Sequence, residues 1–401
     1  MGLFSKRHKI NLALQGGGAH GAFTWGVLDR LLEEENIEFG WISATSAGAV
    51  NAVALASGWA RGGRERARKN LKEVWKAVYD AGVPELLRMN PFLNSLSQSQ
   101  TLARMAGLWS PYDLNPLRID PLRNLLEDTI DFEKLRSHAP QEFLIAATDV
   151  ATGHPRFFRR AELTLECVLA SACLPTVHHA VTIDGRAYWD GGFSANPDIV
   201  TLAQESPVAD TLIVQLNPLV KTKVPRGVAE ITGHMSHLAF NAPLRRDVEL
   251  ICAIGRYEKR FFGRATGPMS NLVNHRFHVI DAGHYTSSLS PQTKIKPDWA
   301  LFTYLFDAGR IKTERWLQNH KNKLGRRSSV DLEDHFLRQP MIDKSSPTGR
   351  SKGEFMHASE NDAKQKTDTS PENPHQGPDE KSSQRVSNRS LRSRRGRSKY
   401  A

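Results

Sequence analysis

The sequence predicts an α/β fold in which a mostly parallel sheet is covered by helices on both faces. Five short apolar runs indicate strands, at residues 10–14, 41–45, 143–148, 211–216 and 277–280. Most of these runs are apolar at successive positions, as expected where both faces of a strand are buried. Helical patterns separate the runs, and this alternation is typical of a three-layer α/β/α domain.

The first elements show the alternation most clearly. The strand at 10–14 leads into the glycine-rich stretch QGGGAHG (15–21) and then into a helical pattern with one apolar stripe (23–32). The second strand, at 41–45, is followed by a helix of small residues, AGAVNAVALASG (47–58). Small side chains allow a helix to lie close to its neighbours, so we expect this helix to be packed deep in the domain.

Three regions follow from the patterning along the 401 residues. We predict a catalytic domain at 9–205 and an α/β extension at 206–324 that completes the core. Beyond residue 325, Ser, Lys, Asn, Pro and Gln dominate and large apolar residues nearly vanish. We therefore predict a disordered basic tail over 325–401, with a short helix near 330–337.

The net charge of +11 at pH 7 raises the question of a nucleic-acid or membrane partner. Most of this charge lies within residues 381–401, which contain no acid. The basic residues there are Lys381, Arg385, Arg389, Arg392, Arg394, Arg395, Arg397 and Lys399. The first interpretation of this segment is a solvated, disordered terminus. The functional alternative is peripheral contact with an anionic membrane, and we expect no specific nucleic-acid partner.

Cysteine use and hydropathy bear on the compartment. The three cysteines lack CxxC spacing, so the sequence predicts neither a disulfide framework nor a zinc site. The N-terminus has no apolar stretch typical of a secretory signal, and no apolar run is long enough to span a membrane. We expect a cytoplasmic protein with peripheral membrane contact, and export without a signal peptide stays an open alternative.

The glycine-rich stretch fits the pattern GxGxxG at Gly16, Gly18 and Gly21. Alone, this pattern is a weak signal, because a tight turn, a phosphate cradle and an oxyanion cradle can all use glycine there. A dinucleotide site needs an acidic residue about 20 positions on, at the end of the second strand. That strand ends near Ala44 without one, which argues against a dinucleotide.

A serine follows the second predicted strand in the sequence ATSAGAVNA. Ser46 stands between a strand and a helix, with Gly48 two residues later. This resembles the GxSxG nucleophile elbow, in which a serine is exposed on a sharp strand-to-helix turn. Ala44 occupies the place of the first glycine. The alternative is that Thr45 or Ser46 is only the N-cap of the helix.

An aspartate that could serve as a base occurs in YWDGGFSANP. Asp190 is followed by Gly191 and Gly192, and the upstream pair Asp184-Gly185 indicates a hairpin turn. A catalytic serine needs a base within hydrogen-bond reach, so Asp190 at the end of the hairpin is the candidate. The alternative is an ordinary Asp-Gly turn.

Taken together, these motifs resemble the patatin-like phospholipase family over about residues 9–205. The family has a GGGxxG loop, a GxSxG serine and a later DG[GA] aspartate, in this order. They stand here at residues 16–21, 44–48 and 190–192. Two residues depart from the pattern, Ala44 in place of glycine and His20 where Arg or Lys is usual.

The resemblance implies a serine lipid acyl hydrolase of the phospholipase A or lysophospholipase type. Its substrate would be a lipid or another acyl ester, Ser46 the nucleophile and Asp190 the general base. The implied oxyanion loop contains Gly16, Gly17, Gly18, Ala19 and Gly21, and the supporting residues are Ala44, Gly48, Gly191 and Gly192. Neither a metal nor an organic cofactor is required, because the backbone supplies the charge stabilisation.

Other readings stay open at the level of sequence. Ser46, Asp149 and His178 or His179 follow the chain order of an α/β-hydrolase triad. A non-enzymatic alternative is a membrane- or nucleic-acid-binding scaffold that uses the basic tail and carries a vestigial hydrolase core. Residues 84–111 are expected in the core or, alternatively, in a cap facing acyl chains. The pair His234 and His237 lacks a third ligand, so we expect no metal there.

Overall fold

The structure is a computed structural model. It describes residues 7–81, 110–114, 120–221, 224–261, 268–287, 289, 293 and 298–338. The described residues fall within one compact unit, Met1–Pro340. Most of the segment considered as a cap, and the predicted tail from residue 339 onward, lie outside the described residues.

One sheet of eight strands forms the centre of the described chain. The strands are β1 (His8–Leu14), β2 (Ile37–Thr45), β3 (Glu142–Asp149), β4 (Pro155–Phe158), β5 (Val181–Ile183), β6 (Arg186–Asp190), β7 (Asp210–Gln215) and β8 (Arg276–Asp281). Hydrogen-bonded neighbours follow the path β5-β6-β3-β2-β1-β7-β8, and β4 is also paired to β3. The five predicted strands are confirmed as β1, β2, β3, β7 and β8, and they pair in parallel.

Helices flank the sheet. They are α1 (Ala22–Leu32), α2 (Ala47–Ala81), α3 (Pro121–Thr129), α4 (Phe132–His138), α5 (Leu165–Ser171), α6 (Val200–Glu205), α7 (Val228–Phe261), α8 (Pro268–Val273) and α9 (Trp299–His320). Single helical turns occur at Pro111–Leu114 and His284–Ser287. Helix α2 is kinked at Gly62 and Gly63, where Gly63 has a φ of 67°. None of the helices described combines the length and the apolar character needed to cross a bilayer.

Alternating side chains of β1 build two separate apolar clusters. Leu12 and Leu14 belong to a cluster that includes apolar side chains of α1, α2 and α9. Ala13 belongs to the second cluster, with side chains of α6, α7 and α8. Successive side chains of a strand point to opposite faces, so the sheet is buried on both sides. The predicted mixed α/β architecture with helices on both faces is confirmed.

The tail was predicted to begin at residue 325, but the structure describes the chain as far as residue 338. Leu332 and Phe336 are buried in the second cluster. They are four residues apart, so a helical turn at Glu333–Leu337 brings both to the same side. Packed structure therefore extends into the stretch that was assigned to the tail. Hydrogen bonds from the Gly325 N–H to Asp210 Oδ1 and from the Ser329 N–H to the Phe277 carbonyl also connect it to the sheet.

The ends of β2 and β6 meet on one edge of β3. Strand β4 covers Ile145–Thr148 on the other edge, which leaves a single edge for both β2 and β6. Thr45 at the end of β2 pairs with Ala146, and Asp190 at the end of β6 pairs with Ala147. Since β2 is parallel and β6 antiparallel to β3, their carboxyl ends point at each other.

Candidate active site

Ser46 occupies a sharp turn between β2 and α2. Its φ of 54° lies in the left-handed region, which a non-glycine residue adopts at a cost of about 1–3 kcal/mol. The N–H of Ser46 donates to Ser171 Oγ at 2.9 Å, and Thr45 Oγ1 donates to the Ala195 carbonyl at 2.7 Å. An ordinary N-cap has extended backbone angles, so Ser46 is on the strained turn that the elbow pattern predicted.

Glycines permit the close packing around this turn. A Cβ at Gly48 would lie 2.3 Å from the Leu14 carbonyl oxygen, and a Cβ at Gly16 would lie 2.9 Å from Ser46 Cβ. Ala44, by contrast, is inside β2, pairs with Leu14 and has no positive φ. The departure from glycine at residue 44 therefore causes no conflict with the backbone.

Asp190 ends β6 and is fully buried. Burial raises the pKa of its carboxyl to about 7, although the Gly192 N–H and the nearby Ser46 hydroxyl act to lower it. Asp190 Oδ1 accepts the Gly192 N–H at 2.8 Å, while Oδ2 has no hydrogen-bond partner among the described residues. The hydroxyl of Ser46 is close enough to influence the carboxyl, without a formed hydrogen bond between them.

The hairpin that carries Asp190 has the predicted turn. Asp184 and Gly185 join β5 to β6, with φ values of 50° and 76°. After Asp190 the backbone passes close to its surroundings. A Cβ at Gly191 would lie 2.2 Å from the Ala146 carbonyl oxygen, and one at Gly192 would lie 2.3 Å from the Phe240 ring. Side chains at these two positions would displace the strand end that holds the carboxylate.

The glycine loop is held by two asparagines. The Gly16 N–H donates to Asn196 Oδ1 at 2.7 Å, and Asn217 Nδ2 donates to the Gly16 carbonyl at 3.1 Å. Gly16 was predicted as part of the oxyanion hole, but its N–H is already engaged by Asn196 and is not a free donor. The N–H groups of Gly17 and Gly18 have no acceptor in the part of the chain that the structure describes.

The remainder of the loop is packed inward. Ala19 and His20 are buried, and His20 Nε2 lies 2.9 Å from Thr293 Oγ1. A Cβ at Gly21 would lie 2.7 Å from Ala47 Cβ, so the loop and the start of α2 are in close contact. His20 thus serves as a buried hydrogen-bonding side chain at the position where the family usually has a cation.

The alternative histidine triad is not assembled. Asp149 accepts a hydrogen bond from Arg186 Nε at 2.8 Å and forms an ion pair with the same guanidinium. In the described chain, neither His178 nor His179 forms a hydrogen bond with Ser46 or with Asp149. The order of Ser46, Asp149 and the two histidines along the chain suggested a triad, but their side chains do not form the hydrogen bonds that a triad requires.

No metal site accompanies the candidate dyad within the described residues. No group of three or more His, Cys, Asp or Glu side chains there could hold a metal ion. His234 and His237 are neighbours on α7, with ring centroids 5.9 Å apart.

Sequence reasoning missed the residues that support the site. Asn196, Asn217 and Ser171 contact the loop or the turn directly. Gln15 Oε1 also accepts the N–H groups of Leu216 and Asn217, at 2.7 and 2.8 Å. Only their places next to the motifs could have identified two of these residues from the sequence. Gln15 immediately precedes the glycines, and Asn196 follows the DGG motif in the stretch SANP.

A three-layer α/β domain with a serine on a sharp strand-to-helix turn has the form that many serine hydrolases use. Residues 12–203 match the family model of patatin-like phospholipases. The match covers just under half of the chain, so residues 12–203 form a patatin-like phospholipase domain, and this match supports a lipid hydrolase function. No curated protein sequence matches the chain significantly.

Solved structures that are similar to the chain include VipD and the ExoU-SpcU complex. VipD from Legionella pneumophila is 16% identical with a TM-score of 0.38, and the match covers 79% of this chain and 68% of that one. The complex ExoU-SpcU from the type III secretion system of Pseudomonas aeruginosa matches at 14% identity and a TM-score of 0.30. That match covers 78% of this chain and 53% of the other. Likeness at this level adds nothing to the family match.

Proposed function

We propose that the protein is a serine lipid acyl hydrolase of the phospholipase A or lysophospholipase type. In this proposal Ser46 is the nucleophile and Asp190 the general base. The observation that carries it is a fully buried Asp190 carboxyl, with its pKa raised to about 7, next to the Ser46 hydroxyl. A general base works best when its pKa is near the working pH.

In the first half-reaction, Ser46 Oγ attacks the ester carbonyl while its proton passes to Asp190. The carbonyl oxygen becomes an oxyanion, which the N–H groups of Gly17 and Gly18 would stabilise, with Ala19 as a third donor. One such donor is worth about 2.7–4 kcal/mol in other enzymes. The intermediate then collapses, and Asp190 returns the proton to the leaving alcohol, which leaves an acyl group on Ser46.

In the second half-reaction, water attacks the acyl-enzyme. Asp190 accepts a proton from the water, the same donors stabilise the second oxyanion, and the proton passes to Ser46 Oγ as the fatty acid leaves. Every charge that develops meets a backbone donor or Asp190, so the cycle needs neither metal nor organic cofactor. The basic residues between 381 and 399 are proposed to hold the enzyme near anionic lipid, although they lie outside the described residues.

The test compares Ser46→Ala with Ser43→Ala. Ser43 is a buried serine three positions earlier in β2, which makes it a matched control for loss of a hydroxyl. Turnover is measured on phospholipid, lysophospholipid, triglyceride and short p-nitrophenyl esters. We expect Ser46→Ala to lose at least ~10³-fold in kcat/KM and Ser43→Ala to stay near wild type. Equal activity of Ser46→Ala and wild type on every substrate would leave the basic-tailed scaffold as the better description.

A further inference from the structure

Helix α7 carries apolar side chains on two opposite sides. Leu244 and Val248 are buried in the second apolar cluster. Because successive helical residues are separated by about 100°, Met235 points away from Leu244. Val228, Ile231, Met235 and Leu238 share this outer side, and together they are called the apolar stripe.

The apolar stripe is strongly exposed. Val228 is 83% exposed, Met235 65% and Leu238 56%. Val220 and Val224 in the segment before the helix are exposed as well. Single exposed apolar residues are common on proteins, whereas a contiguous row over several helical turns usually marks a binding surface.

Cations stand at both ends of the apolar stripe. Arg226 precedes it, while Arg245 and Arg246 follow it on nearly the same side of α7. All three are exposed. The Arg226 N–H donates to Glu230 Oε2, and Arg246 is close enough to Asp247 for their charges to interact. An apolar row between arginines suits a bilayer surface, where apolar side chains enter the acyl region and arginines reach headgroup phosphates.

The same helix contacts the candidate active site. The Phe240 carbonyl accepts a hydrogen bond from Asn196 Nδ2 at 2.9 Å. The Phe240 ring packs against Phe193, with centroids 5.0 Å apart, and Phe193 comes three residues after Asp190. Leu238, the last residue of the apolar stripe, is therefore less than one helical turn from Phe240, which contacts the segment that follows Asp190.

We propose that the apolar stripe, with Arg226, Arg245 and Arg246, docks on an anionic phospholipid bilayer. A second copy of the chain fits less well, because antiparallel pairing of two stripes would bring the arginines of one copy beside those of the other. This inference rests on the proposed function in that the bilayer would supply the acyl ester that the enzyme hydrolyses.

Binding is tested in the full-length chain with Ser46→Ala, so that hydrolysis does not alter the vesicles. The parent is compared with a Met235→Glu/Leu238→Glu variant by co-sedimentation. Vesicles are phosphatidylcholine alone or mixed with phosphatidylserine. We expect about a tenfold loss of partitioning onto both vesicle types. Ile311→Glu is the control, because Ile311 is exposed to 45% on α9, which packs on the other face of the sheet.

The phosphatidylcholine arm separates the apolar stripe from the basic tail, whose attraction requires anionic lipid. Arg226→Gln/Arg245→Gln should weaken binding only to the mixed vesicles. Unchanged vesicle binding by a folded Met235→Glu/Leu238→Glu protein would overturn the proposal. So would gel filtration showing a parent dimer that this variant dissociates, since the second copy would then cover the stripe.

A soluble substrate separates this proposal from the catalytic one. With Ser46 intact, Met235→Glu/Leu238→Glu should keep wild-type turnover of a short p-nitrophenyl ester and lose turnover of vesicle lipid. Vesicle binding that depends on the stripe, combined with no effect of Ser46→Ala on any ester, would retain the docking surface and reject the hydrolase.

Discussion

The side chain of Asn196 accepts the Gly16 N–H at 2.7 Å across a sequence separation of 180 residues. The same side chain donates to the Phe240 carbonyl in α7. One amide thus connects the glycine loop, the segment after Asp190 and the helix that bears the apolar stripe. The position of the candidate oxyanion donors therefore depends on Asn196, together with Asn217, which donates to the Gly16 carbonyl.

Asn196→Ala should reduce catalysis through misplacement of the loop. The Gly16 N–H would lose its acceptor inside the protein, at a cost of about 1–3 kcal/mol. We expect kcat on a short ester to fall by ~10–100-fold with little change in KM. Asn70→Ala is the control, since Asn70 is a buried asparagine that bonds the Ala54 carbonyl within α2. An equal kcat loss in both variants would point to general destabilisation.

Gly16→Ala should disturb the nucleophile. The new Cβ would lie 2.9 Å from Ser46 Cβ and 3.0 Å from the Thr45 carbonyl oxygen, so one of the two backbones must shift. We expect kcat/KM to fall by ~10²-fold or more. Gly255→Ala meets no atom within 4 Å and should slightly stabilise α7. Full activity of Gly16→Ala would mean that the loop and the serine turn move independently.

The pH dependence of kcat/KM should show one acidic limb near pH 7. Asp190 must be ionised to accept the serine proton, and its pKa is raised to about 7 by burial. Activity should therefore fall about tenfold per unit below that pH. Asp190→Asn should be inactive throughout, whereas Asp149→Asn should keep the limb. A flat profile in the wild type would argue against Asp190 as the base.

The same carboxyl should make the native protein less stable at high pH. In the unfolded chain Asp190 ionises near its ordinary pKa of 3.8, but in the native state only near 7. Between these values the native state binds more protons, so stability falls as pH rises. We expect Asp190→Asn to be ~2–4 kcal/mol more stable than wild type at pH 8 and to have no such advantage at pH 4. Urea unfolding at the two pH values measures the difference.

Asp210 should show the opposite behaviour. Burial alone would raise the pKa of its carboxyl, but hydrogen bonds from His278, Arg276 and the Gly325 N–H hold it well below the usual range. A lowered pKa contributes stability above the unfolded value, and this is lost as the pH falls. Asp210→Asn should cost about 2 kcal/mol at pH 7, and the gap should narrow below pH 4. A constant gap would contradict this account.

The local parts of the structure were accessible from sequence. Apolar runs predicted the parallel strands, and Asp184-Gly185 predicted the hairpin, because neighbouring residues decide both. The turn at Ser46 was predicted from spacing alone. The role of Asn196 was not, because its partner is distant in the chain and any surface loop can contain an Asn-Pro pair. The exposed apolar side of α7 could not be predicted either. Apolar residues at helical spacing give the same sequence pattern whether that side of the helix is buried or exposed.

The head-on meeting of β2 and β6 along β3 restricts insertions and deletions. Thr45 and Asp190 already occupy adjacent places opposite Ala146 and Ala147, so neither strand can gain a residue at that end without displacing the other. A residue added to β6 would also turn its side chains to the opposite face. Length changes should be tolerated at the Asp184-Gly185 turn, far from this junction, and chain length should be invariant where the two strands converge.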